Sequence, residues 1–239
     1  MTETIFSRTR MLFGEDGMRR LAGAHVAVFG LGGVGGQAAE TLVRSGIGEM
    51  TVCDNDTVSV TNRNRQLFAT AETTDMIKTE AAAKRLLSVN PDLNLHIKTC
   101  FFDRDTAGDF DFSAYDYVLD CIDTVSSKLL LIELCRSANT PLLACLGTGN
   151  KTDPTRLRVD DIAKTSVCPL ARVMRREMRV RGVKKLTVLY SKEEPIVPQQ
   201  DAQDELPQGK RSVPGSVAFV PPAAGLMIAG YVIRQLAGV

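Results

Sequence analysis

The stretch that most restricts what this chain can become runs from His25 to Asp56. An apolar segment, HVAVFG, ends in Gly30-Leu31-Gly32-Gly33-Val34-Gly35; a helix-like GGQAAETLVRSG and a second apolar segment, EMTVCD, follow. A strand that passes into a helix through spaced glycines lets backbone amides approach a phosphate, whose charge suits the N–H groups exposed at a helix start. Gly30, Gly32 and Gly35 keep the GxGxxG spacing, and Asp54 follows about 20 residues on, where a carboxylate can hold a ribose hydroxyl. The spacing predicts a nucleotide site, and by itself it leaves NAD-dependent oxidoreduction open.

The alternation continues. The loop TVSVTNRNRQLF leads to a helix, MIKTEAAAKRLLSVN, that stops before Pro91. NLHIKTC, YDYVLDC and PLLACLG read as strands, with the helix SSKLLLIELCRSAN between the last two. Apolar strands separated by helices require a parallel sheet covered on both faces, with ligands at the carboxyl ends of the strands. Gly30, Asp54, Asp123 and Gly147 would gather there.

The second half is less regular. RLRVDDI and KLTVLYS read as strands, CPLARVMRREMRVRG as a helix, and residues 193–212 as a mobile loop rich in proline, glutamine and acids. The chain should close with a strand from Ser216 and a buried helix, and open with a short helix anchored by Leu12, Phe13, Met18 and Leu21. The expected fold class is α/β: a doubly wound, mostly parallel sheet with helices on both faces, extended by an α+β second half. The expected organisation is one unit over 1–239, with a nucleotide-binding core at 1–150 and a substrate-side or dimer-side extension at 151–239.

Composition excludes several alternatives. A net charge of +1 gives no global basic field, so nucleic acid would have to meet a local patch. Six cysteines without a CxxC pair argue against a disulfide framework and against tetrahedral zinc, and suit a reducing, cytoplasmic setting. MTETIFSRTR has no secretory h-region, and Pro221-Pro222 leave the apolar run from Val217 to Ile233 too short to span a membrane.

The residues after the acidic pair bear on which nucleotide is held. A triphosphate carries more charge than a pyrophosphate bridge and calls for an arginine and a lysine; Arg65 and Lys78 would supply them, although each also reads as an ordinary surface cation. Of the two acids at the end of YDYVLDC, Asp123 stands nearer the strand tip and suits Mg²⁺ between phosphate oxygens, while Asp120 reads as structural. Cys168, before a helix, reads either as a reactive thiol or as a small packed residue. Arg172, Arg175, Arg176 and Arg179 form a basic stripe opposite an apolar face of Leu170, Val173, Met174 and Met178; the stripe is either a solvated face or a contact for a phosphate backbone.

Gly30-Leu31-Gly32-Gly33-Val34-Gly35, Asp54-Asn55-Asp56-Thr57-Val58, Asn62 to Arg65-Gln66, Lys78 and Asp120-Cys121-Ile122-Asp123 together resemble the ThiF/MoeB/ubiquitin-activating superfamily of carboxylate-adenylating enzymes. Gly149 to Thr155, Asp160 to Thr165, Cys168-Pro169-Leu170-Ala171 and Tyr190 to Pro195 are similar to its tRNA threonylcarbamoyladenosine dehydratase branch. The resemblance implies a Rossmann-like fold, ATP and Mg²⁺ as cofactors, and a homodimer. By it Gly33 and its neighbours line the nucleotide with Asp56 and Thr124, and Asp54 takes the ribose. Asn62, Arg65 and Lys78 hold phosphates, Asp123 serves Mg²⁺, and Arg8 reaches the phosphates of the partner subunit. The implied reaction is attack of a substrate carboxylate on the α-phosphate of ATP. In the dehydratase branch that carboxylate belongs to the threonylcarbamoyl group on an adenosine beside the tRNA anticodon, and cyclisation with loss of water follows. A ubiquitin-like sulfur-carrier protein is the alternative substrate. Thr124, where carrier-adenylating relatives usually have Asn, and the absence of paired CxxC motifs depart from that alternative.

Overall fold

The computed structural model describes residues 4–199 and 214–239. Seven strands form one sheet: β1 (His25–Phe29), β2 (Glu49–Cys53), β3 (Asn94–Lys98), β4 (Tyr117–Asp120), β5 (Leu142–Cys145), β6 (Leu157–Asp161) and β7 (Thr187–Ser191). Their order is β3-β2-β1-β4-β5-β7-β6, parallel throughout except for β6, which runs antiparallel to β7. The chain winds outward from β1 through β2 to β3, then returns to β4 on the other side of β1. The order therefore reverses between β1 and β4, and the crevice above their carboxyl ends is where such a sheet admits a ligand.

Strand periodicity assigns the two faces. Val26 and Val28 of β1 pack with the helices α1 (Ser7–Ala22), α2 (Gly35–Arg44), α3 (Lys78–Val89) and α6 (Val220–Ala237). Ala27 and Phe29 point to the opposite face, where Phe102, Phe110, Phe112 and Tyr115 pack with α4 (Val125–Ala138). Farther along that face, Ala144, Val188 and Tyr190 meet α5 (Pro169–Val180) through Ala171, Met174 and Met178. The doubly wound expectation is met, with β3 as a largely exposed edge strand. No helix among the described residues is long and apolar enough to cross a membrane.

Four expectations need correction. No strand forms from Ser216 to Phe219: Pro221 stands in the first turn of α6, where its missing N–H is no loss and its fixed φ suits a helix, so the prolines start the helix. Leu12 does not anchor α1, because a break at Gly14 (φ 69°, ψ 177°) interrupts the helical phase and leaves Leu12 81% exposed. Val173 lies on the outer side of α5, and Leu170 is only half-buried, because the buried face is set by Ala171, Met174 and Met178. Of the loop predicted at 193–212, residues 200–212 lie outside the described residues, while Glu193 and Ile196 are held by specific hydrogen bonds.

Candidate active site

The glycine turn is built by close approach. Gly30 has φ +89°, and a Cβ there would stand 2.8 Å from the Cys121 carbonyl oxygen; a Cβ on Gly35 would stand 1.8 Å from the Gly30 carbonyl oxygen. Neither position admits a side chain, so β1 can run directly into α2. Asp54, at the end of β2, fastens this turn: its Oδ2 accepts from the Leu31 N–H at 2.6 Å and its Oδ1 from the Asp56 N–H at 2.9 Å.

Above the switch point lies a cleft of about 770 Å³. Gly30, Gly32 and Gly33 form its floor together with Asp54, and the loop after β2 contributes Asp56, Asn62 and Arg65. Lys78 enters from the start of α3, and Asp123 and Thr124 from the tip of β4. A Cβ on Gly32 would meet nothing nearer than the Gln66 side chain at 3.9 Å, and one on Gly147 nothing within 4 Å, so both face open space.

Lys78 is buried, with Nζ 2.7 Å from Asp56 Oδ2 and 3.9 Å from Asp54 Oδ1. Asp56 is mostly exposed, so an incoming anion can compete with it for the ammonium. Arg65 is half-buried and donates through Nη1 to the Thr61 carbonyl at 3.0 Å and to Asn64 Oδ1 at 2.8 Å; burial pushes its guanidinium below its ordinary pKa. Asn62 Oδ1 accepts from the Ser59 N–H at 3.1 Å, which pins the short helical turn just ahead of the arginine. Asp123 is exposed and accepts from Thr124 Oγ1 at 3.4 Å. The opening thus brings together an ammonium, a guanidinium, glycine-turn amides and carboxylates, a set suited to a polyphosphate with a cation.

Other sequence candidates lie elsewhere. Gly35 is outside the cleft and acts through helix–strand packing. Arg8 is exposed on α1, outside the cleft of its own chain. On α5, Arg172 and Arg179 are exposed; Arg176 pairs with Glu177 at 3.0 Å, and Arg175 donates to the Thr165 carbonyl at 3.0 Å and to its hydroxyl. None of these four arginines lines the cleft. Cys168 is buried in the core beneath α5, which favours the packed-residue alternative.

The cleft is supported by two features that the sequence reading passed over. Lys128, wholly buried on α4, reaches Asp120 Oδ1 at 3.0 Å and the Cys145 carbonyl at 2.7 Å, and so joins the tips of β4 and β5. Burial pushes the Asp120 carboxyl up, while the charge and hydrogen bond of Lys128 and the Ile122 N–H pull it back; Asp120 Oδ2 has no hydrogen-bond partner among the described residues. A lysine inside the apolar run KLLLI was the available signal. Glu193 receives the Thr152 N–H at 2.9 Å and the Asp153 N–H at 3.0 Å, fastening the loop beyond Gly149, which also lines the cleft. Four cysteines, Cys53, Cys100, Cys121 and Cys145, border the opening, and burial pushes the Cys53, Cys121 and Cys145 thiols up, that of Cys145 to about 12.

A mostly parallel sheet with a glycine turn and, at its switch point, a cleft that brings Arg65 and Lys78 beside it defines a nucleotide-binding α/β protein. A family model described as the ThiF family matches residues 6–239, and the chain belongs to that family. It is 38% identical over 238 residues to the tRNA threonylcarbamoyladenosine dehydratase of Bacillus subtilis, covering 97% of this chain and 94% of that one. The structure is similar to that of the E. coli tRNA N6-threonylcarbamoyladenosine dehydratase in complex with ATP, with a TM-score of 0.88, 33% identity, and coverage of 98% and 93% of the two chains. The sulfur carrier protein ThiS adenylyltransferase of E. coli matches over less of its length, 33% identical across 56% of this chain and 53% of that one.

Proposed function

We propose that this chain is an ATP-dependent adenylating enzyme acting on the threonylcarbamoyl carboxylate of a tRNA adenosine beside the anticodon. The observation that carries the reading is the joining of the glycine turn, Arg65 and Lys78 in one cleft, in a chain that aligns over nearly its whole length with dehydratases of that name. A carboxylate oxygen attacks the α-phosphorus, and the bond to the bridging oxygen breaks so that pyrophosphate leaves. An atom of the same modification then attacks the activated acyl carbon, AMP leaves, and the net change in the tRNA is loss of water.

The attacking carboxylate is already ionised at neutral pH and needs no general base. Arg65, Lys78 and Asn62 position the phosphates, and the two cations neutralise the charge that develops as pyrophosphate departs; Asp54 and Asp56 stand at the ribose end. Asp123, with Thr124 beside it, would hold Mg²⁺, which supplies further charge neutralisation on phosphate oxygens. The raised Cys53, Cys121 and Cys145 thiols are poor nucleophiles, in keeping with an intramolecular closure that forms no thioester on these residues. A homodimer completes this reading, with Arg8 of each copy entering the other's site; Met11 and Leu12 beside it, 82% and 81% exposed, are suited to burial in such an interface. The site operates in the cytoplasm, where its tRNA and ATP are found.

ATP–pyrophosphate exchange tests the proposal. Exchange should be stimulated by tRNA carrying the threonylcarbamoyl modification and should disappear in Lys78→Met. Stimulation solely by a ubiquitin-like sulfur carrier would replace the tRNA reading with the carrier one.

A further inference from the structure

The two histidines of the chain, His25 and His96, meet at the end of the sheet away from the nucleotide cleft. His25 opens β1, Glu49 opens β2 in register with it, and His96 stands on β3, paired with Thr51. The Glu49 carboxylate lies between the imidazoles: its Oε1 is 3.5 Å from His25 Nδ1 and 2.7 Å from His96 Nε2. One ligand atom from each of these residues falls within 4.8 Å of the others.

From this juxtaposition we infer a binding site for a borderline divalent transition ion of the zinc class, held by His25 Nδ1, the Glu49 carboxylate and His96 Nε2. Imidazole and carboxylate together suit that class, and three protein ligands leave a fourth position to water. The surroundings are those of a prepared ligand set. His25 Nε2 lies 2.9 Å from Thr51 Oγ1, a bond that leaves the Nδ1 lone pair toward Glu49 when Nε2 carries the proton; metal-bound histidines are oriented by such outer partners. The His25 ring is further seated edge-on against Tyr115, with centroids 4.8 Å apart. Asp116, which accepts from the His25 N–H at 2.8 Å, adds negative charge close by.

The bound ion would cross-link β1, β2 and the exposed edge strand β3. From His25 to Gly30 is five residue steps, which places the site roughly 16 Å from the glycine turn at about 3.3 Å per residue. It therefore stands independently of the nucleotide reading.

Isothermal titration of the full chain with Zn²⁺, and visible spectroscopy with Co²⁺ as a reporter, test the site. One ion per chain should bind. Glu49→Gln and His96→Asn should each weaken it by more than about 100-fold, beyond the 10–100-fold typical of losing an outer partner. Thr51→Val should weaken binding within that smaller range, and circular dichroism would verify folding; His96→Asn alters an exposed edge position and keeps the test usable if another variant unfolds. Unchanged Zn²⁺ affinity in Glu49→Gln and His96→Asn would overturn the inference, as would a thiolate-to-cobalt charge-transfer band, which would assign the ion to cysteine. ATP–pyrophosphate exchange should persist in His96→Asn, so failure of the metal site and failure of the adenylation reading are separate results.

Discussion

Replacing Lys128 with Met should be among the most damaging single changes in this protein, although the residue touches no ligand. Its ammonium and the Asp120 carboxylate have no exposure to solvent, and Nζ also donates to the Cys145 carbonyl. Methionine fills a similar volume, so little is lost in packing. What remains is a buried carboxylate whose Oδ2 already lacks a partner and whose Oδ1 keeps the Ile122 N–H, 3.1 Å away. Breaking one side of such a pair costs about 3–5 kcal/mol. In a chain of this size that corresponds to a fall in Tm of roughly 6–20 °C, at 2–4 °C per kcal/mol. Because the pair joins the tips of β4 and β5, the variant that survives should also bind ATP more weakly. The chain has no tryptophan, so urea unfolding is best followed by circular dichroism. The double variant Asp120→Asn with Lys128→Met removes the stranded charge and should recover at least about 1 kcal/mol relative to Lys128→Met alone. A loss below about 1 kcal/mol in the single variant, or no recovery in the double, would refute the reasoning.

Gly35→Ala should cost at least the ~1–3 kcal/mol of an overpacked core and weaken ATP-induced stabilisation, because the new Cβ would stand 1.8 Å from the Gly30 carbonyl; a wild-type melting curve would contradict this. Glu40 is buried and receives Arg44 Nε and Arg85 Nε, each at 2.8 Å. Burial raises its carboxyl pKa, but the hydrogen bonds and charges of Arg85 and Arg44 together outweigh that and hold it below the ordinary value. A depressed folded pKa gives stability that is present above the unfolded value of about 4.3 and is lost as pH falls through the folded one, so acid unfolding should be shallower in Glu40→Gln than in wild type. Arg172→Ala with Arg179→Ala should flatten the salt dependence of tRNA binding by up to about 1 log unit of slope per lost phosphate contact. An unchanged slope would remove α5 from the tRNA interface.

Much of the architecture was legible because it rests on local periodicity. Apolar strands between helices imply parallel winding, and the spacing of Gly30, Gly32 and Gly35 implies a tight strand-to-helix turn whatever the rest of the chain does. The same logic placed Gly30, Asp54, Asp123 and Gly147 at the carboxyl ends of strands, where the fold does gather them. Local pattern misled where a neighbour or the helical phase decided the outcome. Leu12 is apolar yet exposed because Gly14 breaks the helix, and Pro221 reads as an interruption although a first helical turn accepts it.

Tertiary structure alone decided which distant residues share a site. Lys128 finds Asp120 eight positions away but also the Cys145 carbonyl, and Glu193 crosses forty residues to hold Asp153. His25, Glu49 and His96 come from three separate segments, and only the order β3-β2-β1 makes them neighbours. Periodicity tells each residue which face of its own element it occupies. The register between elements, set by how the whole core packs, determines which charges and ligands meet across that face.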